Sequence, residues 1–413
     1  MDSKKLTKRI LIALIVGAVV GMALTFAPES FYNPLNKYVL DPIGQIFINL
    51  IMMLVVPLVF VSIVLGTAGL GDPAKLGKIG VFTVTFFLVT TSIAISLGLA
   101  LASLVKPGKA GVFDTSNLDG YTPGEAPPIM ETLINIIPEN PIAAMSSGDM
   151  LQIIAFAVFI GIALAYLSDK TKGIHHLFEQ ANEILNWLIM TIMRFAPYGA
   201  FALIASAIGG AGLDAVGSML SYMLTVIAGL ILHALLVYSL AIWLLGRGNS
   251  FKFFKGFFPA MVVGFSTSST NAALPVAMKT AQENLGVKKE ISSFVQPLGA
   301  TINMDGTAIM QAVATVFISQ VYDLPLTMTD LLMVVLVATL ASVGTAGVPG
   351  VGLIMLAMVL GQIGLPVEGI ALIIGIDRIL DMLRTSLNMS GDAACAYILS
   401  EREKRKERKT KKA

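Results

Sequence analysis

The sequence predicts an all-α protein that crosses a membrane many times. Hydrophobic residues make up 55% of the 413 and charged residues only 13%, with a mean hydropathy of +0.81, a balance foreign to water-soluble domains. Apolar stretches long enough for a helix to cross the hydrocarbon core, about 20 residues, also recur along the chain. The formal net charge of +2 hides an asymmetry: from Glu401 onward there are eight Lys/Arg against three Glu, so the remainder is net −3. No nucleic-acid partner is expected from such a distribution. The single Cys395 excludes a disulfide framework, and His175, His176 and His233 lack the spacing of zinc ligands.

Lys4, Lys5, Lys8 and Arg9 precede an apolar run from Ile10 to about Phe26 without a cleavage site, which reads as a first transmembrane helix and not a signal peptide. Spanning stretches are expected at 9–27, 39–67, 79–105, 150–168, 182–207 and 217–246, six helices in all. The basic N-terminus, Lys75 with Lys78, Lys170 with Lys172, and Arg247 with Lys252 and Lys255 fall on one side, which the positive-inside rule makes cytoplasmic. The other side takes the segment 106–149, rich in Pro, Gly, Asp and Glu, with a short surface helix expected over 130–137, and the turn at 209–214.

Beyond residue 250 the pattern changes. Phe257 to Phe265 is too short to span, and it runs into Ser266-Thr267-Ser268-Ser269-Thr270-Asn271 and Pro275 before reaching Lys288 and Lys289. With both flanks basic, this segment should enter and leave on the cytoplasmic side as a re-entrant hairpin. A helix over 291–321 follows, broken at Asn303-Met304-Asp305-Gly306-Thr307. A second hairpin then runs from Leu331 to Leu360 around the glycine-rich tip 341–352, and its acidic flanks (Asp323, Asp330, Glu368) place its entry outside. The pattern N-M-x-G-x-A occurs at Asn303 and again at Asn388, each time after a hairpin. Paired interrupted segments in inverted topology point to a transport site at the midplane.

The last helix holds the costliest chemistry. Asp377, Arg378, Asp381, Arg384 and Asp392 put five charges in sixteen residues, each costing roughly 3 kcal/mol or more at membrane depth. Asp377, Asp381, Arg384 or Thr385, Asn388 and Asp392 recur at intervals of three and four, along one helical face. Such a stripe requires mutual pairing, a hydrated cavity or a ligand. Arg384 offers a planar fork for a carboxylate, and Asp381, one turn away, an acceptor for an ammonium group; Arg378 is read as neutralising Asp377 or Asp381. The serine-rich first tip suits a carboxylate and the glycine-rich second tip can bare carbonyls to a cation. Broken helices carrying Asn303, Asp305, Asn388 and Asp392 suit Na⁺.

At these motifs the chain resembles the dicarboxylate/amino acid:cation symporter family, which includes the glutamate transporters. The resemblance spans essentially the whole chain and implies eight transmembrane helices, two re-entrant hairpins, a homotrimer and elevator-type transport. It divides the chain into scaffold helices 1–2 (1–78), helix 3 and the external loop (79–149), helices 4–6 (150–250), the transport core (251–400) and a basic cytoplasmic tail (401–413). Carried over by motif, substrate contacts fall to Ser269, Thr270, Thr307, Val348, Gly352, Asp381, Arg384, Thr385 and Asn388. Sodium ligands fall to Thr91, Ser92, Gly299, Thr301, Asn303, Asp305, Ser342, Val343, Thr345, Asn388 and Asp392. The first tip departs from the family's run of serines, and the acid at Asp392 favours sodium over protons.

The resulting expectation is a plasma-membrane, sodium-coupled symporter of aspartate or glutamate, not an enzyme, with both termini cytoplasmic. Neutral amino acids, cystine, C4-dicarboxylates or proton coupling are the alternatives within that class. An intramembrane aspartyl protease built on Asp305 with Asp381 or Asp392 would need a G-x-G-D context, which is absent. A plain ion channel would leave the Asp381/Arg384 pair without a role.

Overall fold

The computed structural model describes residues 3–69, 73–109, 111, 134, 136–343, 347 and 349–410. Every regular element among them is helical. In the first half these are α1 (Ser3–Leu24), α2 (Glu29–Leu35), α3 (Asp41–Met52), α4 (Val55–Gly69), α5 (Pro73–Val105), α6 (Pro141–Ser147), α7 (Met150–Leu167), α8 (Lys172–Ile192) and α9 (Ala196–Leu232). By length and apolarity, three described segments can cross a membrane: Glu29–Ala68, Ile79–Val105 and Asp214–Gly246. The pair Gln152–Leu167 and Asp169–Ile192, bent by 115°, passes only jointly. The molecule is thus a multi-pass membrane protein, and among the described residues the expected spans 39–67, 79–105 and 217–246 fall within continuous crossing segments. The residues 130–133 of the expected surface helix lie outside those described.

Within two of the expected spans, 39–67 and 182–207, the regular α-helix is interrupted, although the first still lies inside the single crossing segment Glu29–Ala68. The breaks fall at Met53–Leu54 and Met193–Phe195, each four residues ahead of a proline, Pro57 and Pro197. A proline supplies no N–H to the carbonyl four residues back, and the chain tightens there: Leu54 donates to the Ile51 carbonyl (3.0 Å) and Arg194 to that of Thr191 (3.1 Å). The expected 209–214 turn reduces to a kink at Gly212, whose φ of 68° and ψ of −149° only glycine adopts readily. Small residues bring the helices together: a Cβ on Gly17 of α1 would lie 2.9 Å from the Phe201 carbonyl oxygen of α9.

The second half comprises α10 (Ser250–Thr267), α11 (Thr270–Leu285), α12 (Lys289–Ile302), α13 (Asp305–Val321), α14 (Met328–Ser342), α15 (Val351–Gln362) and α16 (Ile370–Thr410). Helices α10 and α11 form the first expected hairpin, reversed by Ser268 at φ 51° and by Ser269, whose Oγ caps α11 by accepting from Ala272 N–H. Helices α14 and α15 occupy the arms of the second expected hairpin, whose tip residues 344–346 and 348 lie outside those described; a capping box of Thr327 and Asp330 starts α14. Helix α13 is buried on every side, as befits an element apolar all round.

The two N-M-x-G-x-A motifs behave differently, which corrects the expectation of two broken helices. Asn303–Met304 interrupts the chain between α12 and α13, whereas Asn388 and Asp392 lie within the unbroken 41-residue α16.

Candidate functional site

The start of α13, the end of α12 and the middle of α16 converge, and the two motifs interlock there. Asn303 Nδ2 donates to the Asn388 carbonyl (3.0 Å) and to Asp392 Oδ1 (2.9 Å). Asn388 Oδ1 in turn accepts from Gly306 N–H at 2.7 Å, satisfying one of the orphan amides that a helix N-terminus leaves. An unbroken helix thereby caps a broken one. The glycines follow from this closeness: a Cβ at Gly306 would stand 2.8 Å from the Arg384 carbonyl oxygen, and one at Gly299 would collide with Asp392 Oδ1.

Asp305 forms the second part of the site. Thr91 of α5 donates to its Oδ1 at 2.6 Å, and its Oδ2 takes Tyr238 O–H at 2.8 Å and His233 Nε2 at 3.0 Å. His233 and Tyr238 bound a π-helical stretch that continues α9, an irregularity frequent at functional sites. Sequence reasoning missed both. The available signal was the histidine itself, a costly polar group in the middle of the spanning stretch 217–246.

The charged stripe forms the third part. Arg384, 1% exposed, places Nη1 2.6 Å from Asp377 Oδ1, and its Nη2 reaches Asp377 Oδ2 (3.3 Å) and Asp381 Oδ1 (3.0 Å). Arg378 Nη1 faces Asp381 Oδ2 at 3.4 Å, in keeping with its expected neutralising role. Gly352 of α15 lies over the guanidinium, since a Cβ there would be 3.1 Å from Nη2. The pairing of Asp377 with Arg384 was not foreseen.

At the hairpin tips, Ser269 Oγ donates to the Gly347 carbonyl (2.7 Å) and Asn271 N–H donates to the same oxygen (3.4 Å). The two tips therefore touch. Thr270 is buried beside this contact with its Oγ1 unpartnered. A cavity of about 410 Å³, lined by Ser62, Asn182, Asn271, Ser293 and Thr301 among others, opens next to the first tip.

Among the remaining expected residues, Thr307 is buried with its Oγ1 3.9 Å from Met304 Sδ, and Thr385 is buried on α16. Ser92 Oγ donates to the Leu88 carbonyl (2.8 Å) and lies 3.2 Å from Thr339 Oγ1 of α14. Ser342 and Val343 close α14, and Thr301 turns its hydroxyl to the Leu298 carbonyl at 2.9 Å, so these three are not joined to the Asn303–Asp305–Asp392 cluster by hydrogen bonds. Thr345 and Val348 lie outside the described residues.

The donor set fits a hard monovalent cation. Asn303 Oδ1 is buried without a hydrogen-bond partner, a cost a cation would remove. Asp305 and Asp392 are buried carboxylates within electrostatic reach of each other, and Asp392 is bonded to an amide, not a base. Oxygen ligands of this kind are what such ions take.

Comparison with known proteins bears on the same region. The family model described as "Sodium:dicarboxylate symporter family" matches residues 6–402. The chain is 37% identical to the proton/sodium-glutamate symport protein of Geobacillus stearothermophilus, over 96% of this chain and 94% of that protein. It is 35% identical to the proton/glutamate-aspartate symporter of Escherichia coli (97% and 93% covered). Against the C4-dicarboxylate transport protein of Bacillus subtilis the identity is 32%, with 97% and 94% covered.

Proposed function

We propose that this chain, which belongs to the sodium:dicarboxylate symporter family, is a secondary active symporter that couples uptake of aspartate or glutamate to sodium. The observation that carries the substrate is the buried pair of Arg384 and Asp381, with Nη2 and Oδ1 3.0 Å apart. A guanidinium fork takes a side-chain carboxylate through two parallel hydrogen bonds, and a neighbouring carboxylate accepts from an ammonium. A C4-dicarboxylate brings no ammonium group for Asp381 to accept from. We assign the α-carboxylate to the first tip, at Ser269 and Thr270. Thr307, Val348, Gly352, Thr385 and Asn388 complete the substrate site.

Asn303, Asp305, Asn388 and Asp392 would hold sodium, with Thr91, Ser92, Gly299, Thr301, Ser342, Val343 and Thr345 as further ligands. An ion bound there offsets the charge of two buried carboxylates. Proton coupling is the second reading, favoured by relatives named as proton/glutamate-aspartate symporters and by the suitability of the same two acids to either ion. In either reading a transport unit containing helix 3 with the external loop (79–149) and residues 251–400 moves against scaffold helices 1–2 and 4–5, in a homotrimer of the plasma membrane with cytoplasmic termini. The cavity beside Asn271 serves as the route between the first tip and the cytoplasm.

Uptake of radiolabelled aspartate, glutamate, serine, cystine and succinate into proteoliposomes tests this, first under a sodium gradient and then under a proton gradient alone. The expected result is sodium-dependent uptake of the acidic amino acids that disappears in Arg384→Ala. Uptake of neutral substrates alone would remove the role given to Arg384, and uptake driven by protons without sodium would establish the second reading.

A further inference from the structure

At residues 247–249 the chain turns from the helix that continues α9 into α10, and side-chain and backbone bonds pin the turn. Gly248 N–H donates to the Ile242 carbonyl and Arg247 N–H to that of Trp243, both at 3.0 Å, while Ser250 Oγ donates to the Ser239 carbonyl at 3.0 Å. A shallow groove of about 710 Å³ lies against this turn. Leu235, Leu236, Leu240 and Trp243, each more than half exposed, line it from the first helix, and Phe251 at 77% exposure lines it from α10. Leu235, Ser239, Trp243 and Arg247 stand four residues apart. The widened i to i+5 bonding over His233–Tyr238 and Ile242–Gly246 keeps such a series nearly in line along the helix.

Exposed apolar side chains are ordinary on a face turned to lipid, but these lead to a cluster of cations. Residues 244–258 include Arg247, Lys252 and Lys255, all exposed, and no acid. None of the three has an ion-pair partner among the described residues. Trp243 stands one turn before Arg247, at the place tryptophan takes between headgroups and hydrocarbon. From Leu235 to Trp243 the helix rises about 10 Å, most of the roughly 15 Å that one leaflet contributes to the hydrocarbon core. An acyl chain therefore suits the apolar length, and a phosphate suits its basic end, where a guanidinium takes two oxygens through parallel hydrogen bonds. A lipid without net charge would leave the surplus positive charge uncompensated. A second copy of this chain meeting the groove about a two-fold axis would set cation against cation.

We propose that this groove is a binding site for one anionic phospholipid, drawn from the leaflet on the basic side of the protein. Its phosphate rests on Arg247 and Lys252, and an acyl chain runs along Leu236, Leu240 and Trp243. The same helical stretch turns His233 and Tyr238 inward to Asp305, while Leu235 and Leu236 between them face outward. The lipid thus seats on the outer side of the element that holds Asp305.

The test uses the purified full-length protein in an uncharged detergent, titrated with phosphatidylglycerol or phosphatidylcholine of the same acyl chains. Bound lipid is counted by native mass spectrometry, and stability is followed by thermal unfolding. Phosphatidylglycerol should bind about tenfold more tightly than phosphatidylcholine and raise the unfolding temperature, as a ligand of the folded state does. Arg247→Gln combined with Lys252→Gln should weaken phosphatidylglycerol binding by about tenfold or more, each cation beside an anionic headgroup being worth about fivefold. Trp243→Ala should weaken it as well, with the cations left in place. Lys170→Gln combined with Lys172→Gln removes the same charge from another basic site and should change the affinity by less than about twofold. Equal affinity for the two lipids overturns the proposal, as do equal losses in the two double variants or an affinity unaltered by the first. Protection by glycerol phosphate alone would make this an ion site without a lipid. A change in subunit number in place of lipid binding would make it a contact between copies, and either result also overturns the proposal. If the first double variant does not fold, Lys252→Gln alone decides, with an expected loss of about fivefold.

Discussion

Asp305 has both oxygens committed to hydrogens from three other residues, Thr91, His233 and Tyr238. Tyr238→Phe removes one donor from a fully buried carboxylate and should lower stability by about 1–3 kcal/mol; thermal unfolding in detergent that matches wild type would deny the bond its weight. Asn303 differs in having an oxygen to spare. Asn303→Ala should raise the sodium concentration for half-maximal aspartate binding by about tenfold or more, in line with losses seen when a metal's supporting groups are removed. A sodium dependence left intact would take Asn303 out of the ion site. The sequence disclosed Asp305 and Asn303 because both stand at a visible break in an apolar helix. His233 was visible only as a polar group at membrane depth and Tyr238 not at all; they reach Asp305 across 72 and 67 residues. Their partnership depends on how α9 packs against α13, and no local pattern encodes that. Arg384 was legible as a costly charge, while its capture by Asp377 seven residues earlier depends on rotamers.

Among the elements, the paired motifs show how one pattern yields two conformations. At Asn303 the helix opens, and the freed Gly306 N–H is met by the Asn388 side chain; at Asn388 the helix continues and supplies a carbonyl to Asn303. The two halves are complementary and not copies, so the motif alone could not say which would break. Gly306→Ala presses a methyl towards the Arg384 backbone at 2.8 Å, where no rotamer can move aside, and should cost about 1–3 kcal/mol; wild-type stability in that variant would place the helices further apart than described. The short apolar arms flanking the polar tips were legible as separate helices, and α10 with α11 and α14 with α15 take up those arms. The prolines at 57 and 197 were equally visible, yet the spans were drawn across them, because a count of apolar residues ignores the missing N–H.

At the scale of the molecule, the basic tail is a structural fastening as well as a charge cluster. Arg402 Nε donates to the Leu245 carbonyl at 3.0 Å and Arg405 to that of Gly246, and the Arg402 guanidinium stacks on Phe82 at 4.6 Å. The cations thus close the carboxyl end of the long helix ending at Gly246. Replacing both arginines by alanine should lower stability by about 1 kcal/mol for these partly exposed groups, and truncation after Glu401 should do the same; unaltered melting would make the tail a free appendage. Composition announced the tail but not its docking, since a run of charges looks alike whether solvated or seated.

Helix α16 carries Arg384 and these arginines on one rod without a proline or a break. From Arg384 to Arg405 it measures about 30 Å at 1.5 Å per residue. Lacking a joint, it transmits displacement undiminished from the membrane interior to the aqueous surface. If the core moves as proposed above, a dye on the tail would therefore report that movement from outside the site.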